Sequence, residues 1–238
     1  MAFTTINNGS LFMNTKLYTG DSASSRTIAG IGFEPSLTWN KPRTTANDHQ
    51  WVDAVRGGGK VISSNLADAE YTAGNTILSF NSDGFTCGDG ASVNANGVDY
   101  VSWNWKANGA GSANTDGSIN TTYTSANTTA GFSIIKYAGT GSSGTIGHGL
   151  SATPKVLIIK EIDGTESWRV WHRDAPNYST TALSLNSSSA EFSQTNWIGT
   201  VDNSIITLGT DSSINTSGNN YICYAFAEKQ GFSKFSSY

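Results

Sequence analysis

The sequence predicts an all-β protein made of two tandem jelly-roll-like β-sandwich units that arose from an internal duplication. Two observations lead to this fold class: short runs of β-branched and aromatic residues alternate with turn signals, and a segment around Gly97 recurs around Gly218. Charged residues make up only 13% of the 238-residue chain, about half of the roughly 25% usual in soluble domains. Long charged helices are therefore not expected.

The strand signals of one copy come in a regular order. Strands are expected at residues 37–39, 61–62, 76–80 and 100–105, with Asp-Gly or Asn-Gly turns at 83–84, 89–90 and 96–97. In the last strand of each copy, every second residue is aromatic or aliphatic. Because strand side chains alternate between faces, this face is expected to fill the core: Val101, Trp103 and Trp105 in one copy, and Ile222, Tyr224 and Phe226 in the other.

The internal repeat sets the expected domain boundaries. Gly97 matches Gly218 at a separation of 121 residues, and Tyr18 matches Tyr137 at 119. Trp51 aligns with Trp168 at the shorter separation of 117. The expected organisation is an N-terminal arm at 1–15, one unit at 16–109, a Gly/Ser/Asn/Thr-rich linker at 110–130 and a second unit at 131–238.

Charge and motif patterns argue against several functions. Lys and Arg total 14 against 18 Asp and Glu, a net charge of -4, so there is no basic surface for nucleic acid. The longest aliphatic run, 156–159, is strand-length, and no membrane insertion is expected. Cys87 and Cys223 occupy non-equivalent positions and are expected to be free thiols. The three histidines share no metal-ligand spacing, so no metal or cofactor is expected.

Several segments resemble a family of repeats in virion proteins of marine tailed phages. They include Gly30-Ile-Gly-Phe-Glu-Pro35 and Tyr100-Val-Ser-Trp-Asn-Trp105 in the first copy, and Gly147-His-Gly-Leu150 in the second. The resemblance covers residues 16–238. It implies a lectin-like β-sandwich in a non-enzymatic protein of the virion surface, assembled in the host cytoplasm. The implied role is a capsid decoration or an appendage or tail-fibre component, with the capsid shell or tail as partner.

Two other function classes stay open. One is a free-standing carbohydrate-binding lectin module. The other is a jelly-roll glycan hydrolase, because Glu161, Asp163 and Glu166 fit a Glu-x-Asp-x-x-Glu spacing in which two carboxylates would act as nucleophile and general acid. Asp163-Gly164 is itself a turn signal, so we expect a hairpin turn that separates these carboxylates and no catalytic residues.

Two interpretations apply to the tryptophans and arginines that the two copies share. Trp51 with Arg56, and Trp168 with Arg173, could form two equivalent host-glycan sites, helped in the second copy by Trp171 and His172. The alternative is structural: buried charges need partners, so Arg56 would pair with Glu70 and Arg173 with Glu191 inside each unit.

The N-terminal segment is too short to form a core of its own. Its apolar residues, Phe3, Leu11, Phe12 and Met13, stand among Asn, Ser and Thr. One expectation is an assembly arm that lays them on a neighbouring subunit or on the capsid shell, in a homo-oligomer that is a trimer by analogy with other particle-surface proteins. The other is a frayed terminus.

Overall fold

The computed structural model describes residues 4–236 and is almost entirely β, which confirms the predicted all-β sandwich class. Contacts divide the chain into two compact units. The N-terminal unit contains Asn8–Leu66 and Glu70–Ala110. The C-terminal unit contains the chain from Gly111 onward, together with residues 4–7 and Ala67–Ala69.

The N-terminal unit has two antiparallel sheets. Its strands are β1 (Met13–Thr19), β2 (Arg26–Ala29), β3 (Leu37–Pro42), β4 (Gln50–Asp53), β5 (Lys60–Ser63), β6 (Tyr71–Thr72), β7 (Ile77–Asn81), β8 (Gly84–Cys87) and β9 (Asp99–Trp105). A 3-10 turn, Gly9–Leu11, precedes β1. The large sheet has the order β1-β9-β3-β4-β5-β6, and the small sheet has the order β2-β8-β7.

The C-terminal unit has the same two-sheet plan. Its strands are β10 (Ser112–Asn114), β11 (Thr121–Asn127), β12 (Phe132–Ala138), β13 (Gly144–Gly147), β14 (Val156–Glu161), β15 (Arg169–His172), β16 (Thr181–Ser184), β17 (Phe192–Ser193), β18 (Ile198–Val201), β19 (Ile205–Leu208) and β20 (Asn220–Phe226). A single helical turn, α1 (Ser212–Asn215), precedes β20. The large sheet runs β10-β11-β12-β20-β14-β15-β16-β17, and the small sheet runs β13-β19-β18.

The strand orders of the two units correspond element by element. The order β12-β20-β14-β15-β16-β17 repeats β1-β9-β3-β4-β5-β6, and β13-β19-β18 repeats β2-β8-β7. The C-terminal sheet has two further strands, β10 and β11, next to β12.

The expected linker is wrong, because residues 112–114 and 121–127 are these two added strands. β11 pairs with β12 from Tyr123 opposite Lys136 to Asn127 opposite Phe132. Thr, Ser and Asn suit a flexible linker, but Thr also favours strands, and a neighbouring strand with open backbone groups decides between them.

The expected N-terminal arm also ends earlier than residue 15. Met13 begins β1 opposite Trp105, and the Lys106 N–H donates to the Phe12 carbonyl at 2.8 Å. Residues 13–15 therefore belong to the N-terminal sheet, and their deletion would remove part of a strand. Leu11 is 46% exposed, and Phe3 lies outside the described residues.

The core between the sheets uses the opposite face of the last strand from the one expected. In β20, Tyr221, Cys223 and Ala225 pack with the small sheet. In β9 that face carries Tyr100, Ser102 and Asn104, all with 0% exposure. These polar groups tolerate burial because they are hydrogen-bonded; the Thr38 hydroxyl, for example, donates to Asn104 Oδ1 at 2.9 Å.

The aromatic residues expected in the core do share one face of each large sheet, but it is the face turned away from the small sheet. In the N-terminal unit, Trp39 lies between Trp51 and Trp103, with ring centroids 5.3 and 5.1 Å away. In the C-terminal unit, Tyr224 lies 6.5 Å from Trp168. Both faces of each large sheet are therefore rich in large side chains.

A stacked tyrosine pair joins the first and last strands of the N-terminal sheet to the loop before β9. Tyr18 and Tyr100 stack with centroids 5.2 Å apart. The Tyr18 hydroxyl donates to the Val93 carbonyl at 2.7 Å. The Tyr100 hydroxyl donates to the Ala91 carbonyl at 2.7 Å and accepts from the Ala95 N–H at 2.8 Å.

The C-terminal unit has the same arrangement. Tyr137 and Tyr221 stack at 5.3 Å. The Tyr137 hydroxyl donates to the Ile214 carbonyl at 2.8 Å. The Tyr221 hydroxyl donates to the Ser212 carbonyl at 2.9 Å and accepts from the Thr216 N–H at 2.8 Å. In both units a buried phenol thus satisfies a loop carbonyl and a loop amide at once.

Cys87 and Cys223 are free and buried, as the sequence predicts. They lie in different units, on β8 and β20. Burial raises the pKa of the Cys87 thiol to about 11 and also raises that of Cys223. Both side chains therefore act as small apolar core residues.

Removing either bridging hydroxyl should destabilise its own unit by a similar amount. Tyr100→Phe and Tyr221→Phe each remove a buried hydroxyl that bonds to one loop carbonyl and one loop amide, and each lost bond costs about 0.5 to 1.5 kcal/mol. Urea unfolding followed by circular dichroism measures the loss. Tyr123→Phe, at a site that is 42% exposed, should change stability by less than about 0.5 kcal/mol. A loss in only one of the two units would contradict the equivalence of the two pairs.

Candidate functional site

The three tryptophans of the predicted glycan sites are buried. Trp51, Trp168 and Trp171 expose 2%, 0% and 1% of their surface. A sugar needs an open ring face to stack upon, so neither Trp51 nor Trp168 offers the platform predicted for it. Their size and apolar surface place them in packed layers.

The strand register also removes the equivalence of Trp51 and Trp168. Trp51 lies opposite Trp39 on β3. The corresponding position on β15 is Val170, opposite Ile158 on β14, while Trp168 precedes β15. The matching strands are offset by 119 residues here. The shorter offset of 117 therefore aligns two tryptophans at different positions of the fold.

Arg56 follows the structural interpretation. Its side chain is buried, with Nε 2.6 Å from Asp53 Oδ2 and Nη1 3.2 Å from Glu70 Oε2. Its Nη2 also donates to the Trp51 carbonyl at 3.0 Å. The predicted Arg56–Glu70 pair is therefore present, and the guanidinium also binds side-chain and backbone groups of β4.

Arg173 has a different environment. It is half-buried, and among the ion pairs of residues 4–236 none joins it to Glu191, which is exposed. Instead Arg173 lines a cleft of about 410 Å³ in the C-terminal unit. The other lining residues are Tyr178 and Ser179 of the loop at 173–180, and Gly199, Thr200 and Val201 of β18.

Two contacts hold the Arg173 guanidinium in place. Nη1 donates to the Val201 carbonyl at 3.1 Å, and Cζ lies 5.7 Å from the centroid of the Tyr178 ring. The Arg173 N–H also donates to the Lys155 carbonyl at 2.8 Å. The positive charge therefore sits at the wall of the cleft in a defined position.

Trp171 and His172 support this cleft from behind. The Trp171 ring meets Tyr178 edge-on at 5.7 Å, so the 37% exposed tyrosine rests on a buried neighbour. The Asp174 N–H donates to His172 Nδ1 at 3.2 Å, which fixes the start of the loop. Lys155 pairs with Asp174 at 3.1 Å, and this hydrogen bond is the main reason that the pKa of Asp174 is lowered.

Loop length explains why the N-terminal unit is closed at the position of this cleft. The loop between β4 and β5 covers residues 54–59, whereas the loop between β15 and β16 covers 173–180, two residues more. In the shorter loop, the Gly59 N–H donates to the Ile77 carbonyl of β7 at 2.8 Å. Gly58 lies so close to Leu78 that an added Cβ would be 1.9 Å from the Leu78 carbonyl oxygen.

The longer loop bonds to itself instead. The Thr180 N–H donates to the Asn177 carbonyl at 2.8 Å. The cleft thus opens between this loop and β18. Sequence reasoning found Arg173 but missed Tyr178, Ser179 and Thr200. The available signal was the change of repeat offset from 119 to 121 across this loop, which marks a two-residue insertion.

Each of the three hairpin carboxylates has its own partner. Glu161 Oε1 accepts from Asn219 Nδ2 at 2.6 Å, Asp163 Oδ2 accepts from the Asn220 N–H at 2.7 Å, and Glu166 pairs with Arg169 at 3.6 Å. Asp163 and Gly164 lie in the turn between β14 and β15. These carboxylates therefore hold a hairpin to β20 and to β15.

Further features of the described residues bear on function. No group of three or more His, Cys, Asp or Glu side chains within residues 4–236 is placed to hold a metal ion. Over the same range no helix is long and apolar enough to cross a membrane.

A family model described as "Domain of unknown function (DUF7483)" matches residues 8–238. The chain belongs to this family. Neither a curated protein nor a solved structure matches it significantly. The match spans both units, so the family comprises the two-unit arrangement and not one unit alone.

The hairpin of this DUF7483 protein also contains a buried lysine. Lys160 has 0% exposure, and its Nζ donates to the carbonyls of Glu161 and Gly164. Loss of hydration lowers the Lys160 pKa to about 8, an effect that the nearby Glu161 carboxylate partly opposes. In the N-terminal unit, Lys41 makes the matching bond to the Pro42 carbonyl at 2.8 Å.

Lys160 should make stability rise with pH above about 8. Between that pH and about 10.4, the usual lysine pKa, the unfolded chain binds the proton and the folded chain does not, so stability increases with pH. Relative to Lys160→Met, the wild type should gain about 1.5 kcal/mol between pH 8 and 9.5. Parallel urea titrations of the two proteins cancel the contributions of tyrosines and thiols.

The matched control for this pH effect is Lys234→Met. The Lys234 side chain is 73% exposed, so this variant removes a surface lysine and leaves the buried one in place. A difference between the wild type and Lys160→Met that stays constant over this pH range would contradict the prediction for Lys160.

Proposed function

We propose that this protein is a non-enzymatic structural component of a bacteriophage virion surface, either a capsid decoration or part of an appendage or tail fibre. It would assemble in the host cytoplasm with the capsid shell or tail and contact host glycans as a second role. The resemblance of both copies to virion repeats supports this proposal. The low charge content supports it too, because extended contacts between subunits need few desolvated charges.

The observation that carries the non-enzymatic part is the division of the hairpin carboxylates. Glu161, Asp163 and Glu166 are bound to three different partners. A glycan hydrolase needs two carboxyl groups directed at one scissile bond. Here the same residues close a turn, so the motif serves the fold.

We also propose that the two units arose by internal duplication. The shared strand order and the two tyrosine pairs support this origin. Tyr18 and Tyr137 are 119 residues apart, and Tyr100 and Tyr221 are 121 apart. The two-residue difference matches the longer loop at 173–180.

The open edge of the N-terminal sheet is the proposed contact with a second copy in a homo-oligomer. β1 is the outermost strand of its sheet, whereas the corresponding strand β12 is covered by β11. Leu17 on β1 is 58% exposed, and Leu11 just before it is 46% exposed. Such an edge offers both unpaired backbone groups and apolar surface.

Leu17→Asp should therefore shift the protein from oligomer to monomer. A buried carboxylate at the interface would lose its hydration, while the fold should keep its melting temperature because Leu17 is exposed. Size-exclusion chromatography with light scattering measures the mass. Leu183→Asp, at another exposed leucine (38%), should leave the mass unchanged. A monomeric wild type, or an unchanged Leu17→Asp oligomer, would contradict the contact.

The virion role is tested on purified particles. An antibody to the protein should label intact particles by immunogold electron microscopy, and quantitative mass spectrometry should find it in fixed ratio to the major capsid protein. A protein found only in the soluble lysate would favour the free-standing lectin module. Polysaccharide cleavage that disappears in Glu161→Gln would favour the hydrolase instead.

A further inference from the structure

We propose that the cleft beside Arg173 binds a carboxylate-bearing sugar residue, with one such site per chain. This inference rests on the proposed function only for the host glycan as the source of that sugar. The wall of the cleft supplies the groups of the site: one guanidinium, one partly exposed aromatic ring and two hydroxyl side chains.

The charge of Arg173 lacks a carboxylate partner within the described residues. Of the five arginines, Arg26, Arg56 and Arg169 form ion pairs with carboxylates of the protein. Arg173 lines a cleft and forms none within residues 4–236. The carboxylates next to it are already occupied: Asp174 pairs with Lys155, and Asp202 accepts the N–H groups of Ser204 and Ile205.

The geometry of the Arg173 guanidinium leaves hydrogen-bond donors for a ligand. The Val201 carbonyl accepts one N–H of Nη1, and the guanidinium carbon lies over the Tyr178 ring, 5.7 Å from its centroid. The remaining N–H groups stay available for a ligand. An arginine held in this way has lost its side-chain freedom before binding, and its planar donors match the two oxygens of a carboxylate.

The other side chains that line the cleft suit a sugar ring. Tyr178 is 37% exposed and gives an amphipathic ring that can cover the apolar side of a pyranose. Ser179 and Thr200 provide hydroxyl groups that donate and accept hydrogen bonds. The volume of about 410 Å³ falls within the range of small-molecule sites, about 300 to 1,000 Å³. A single positive charge among neutral hydroxyls favours a monoanion over a phosphate.

The N-terminal unit has no matching opening at the corresponding place, where Gly58 and Gly59 make backbone contacts with β7. Asp53 and His172 are the last residues of the corresponding strands β4 and β15. The residue equivalent to Arg173 is therefore Ala54. The protein therefore contains its own negative control, and binding should saturate at one ligand per chain.

The test is isothermal titration calorimetry on the full-length protein. The ligands are an oligogalacturonate, a sialylated trisaccharide and the neutral disaccharide lactose; the first two distinguish a uronic acid from a sialic acid. At least one acidic glycan should bind with a stoichiometry near one, and its affinity should fall as sodium chloride rises. Lactose should bind at least about tenfold more weakly, the usual effect of losing a charged hydrogen bond.

Variants locate the site. Arg173→Gln should weaken acidic-sugar binding by about tenfold or more, and Thr200→Leu should weaken it by filling the cleft while keeping the charge. Arg43→Gln is the matched control, because Arg43 is exposed and lies in the other unit. Thermal melts by circular dichroism show that each variant is folded. Because Thr200 is exposed, this variant keeps the test valid if Arg173→Gln fails to fold.

Several results would overturn the inference: no binding of either acidic glycan, equal affinity for lactose, two ligands per chain, or unchanged binding by Arg173→Gln. Failure of the virion role gives a different result. Absence from particles together with Arg173-dependent binding would contradict the proposed location and leave the site in place. Presence in particles without any sugar binding would contradict the site alone.

Discussion

The stacked tyrosine pair is the interaction on which each unit depends. It connects two neighbouring strands that are far apart in sequence, β1 and β9 in one unit and β12 and β20 in the other, to the loop that enters the last strand. A buried phenol must find partners, and here the partners are the loop's own backbone groups. An asparagine extends this link in each unit. The Asp21 N–H donates to Asn94 Oδ1 at 3.1 Å, and the Thr140 N–H donates to Asn215 Oδ1 at 2.8 Å.

This constraint leaves other loops free to differ. The tyrosine and asparagine contacts hold one end of each sandwich, so the loop between β15 and β16 can be longer than its counterpart without moving the sheets. The added length turns the Thr180 N–H towards Asn177 and away from β18. One topology thus yields a closed surface in the N-terminal unit and a lined cleft in the C-terminal unit.

The low charge content gives each ionic group a local purpose. Arg56 and its two carboxylates brace β4 from inside, and the hairpin carboxylates of the C-terminal unit hold a turn. Uncharged hydroxyl and amide side chains supply most of the remaining polar groups. Arg173 differs from these braces because its partner is a backbone carbonyl and not a carboxylate.

The sequence by itself determined the all-β class, the turn at Asp163-Gly164 and the free thiols, and it offered the Arg56–Glu70 pair as one of two interpretations. These features follow from local signals: turn residues, strand periodicity and spacing within one unit. Only the tertiary structure decided which face of β9 and β20 meets the small sheet, because alternation defines two faces and packing chooses between them. It also decided that residues 112–114 and 121–127 are strands, and that Tyr178 and Thr200 meet at Arg173. Those outcomes depend on partners distant in the chain, and a pattern of neighbouring residues does not contain them.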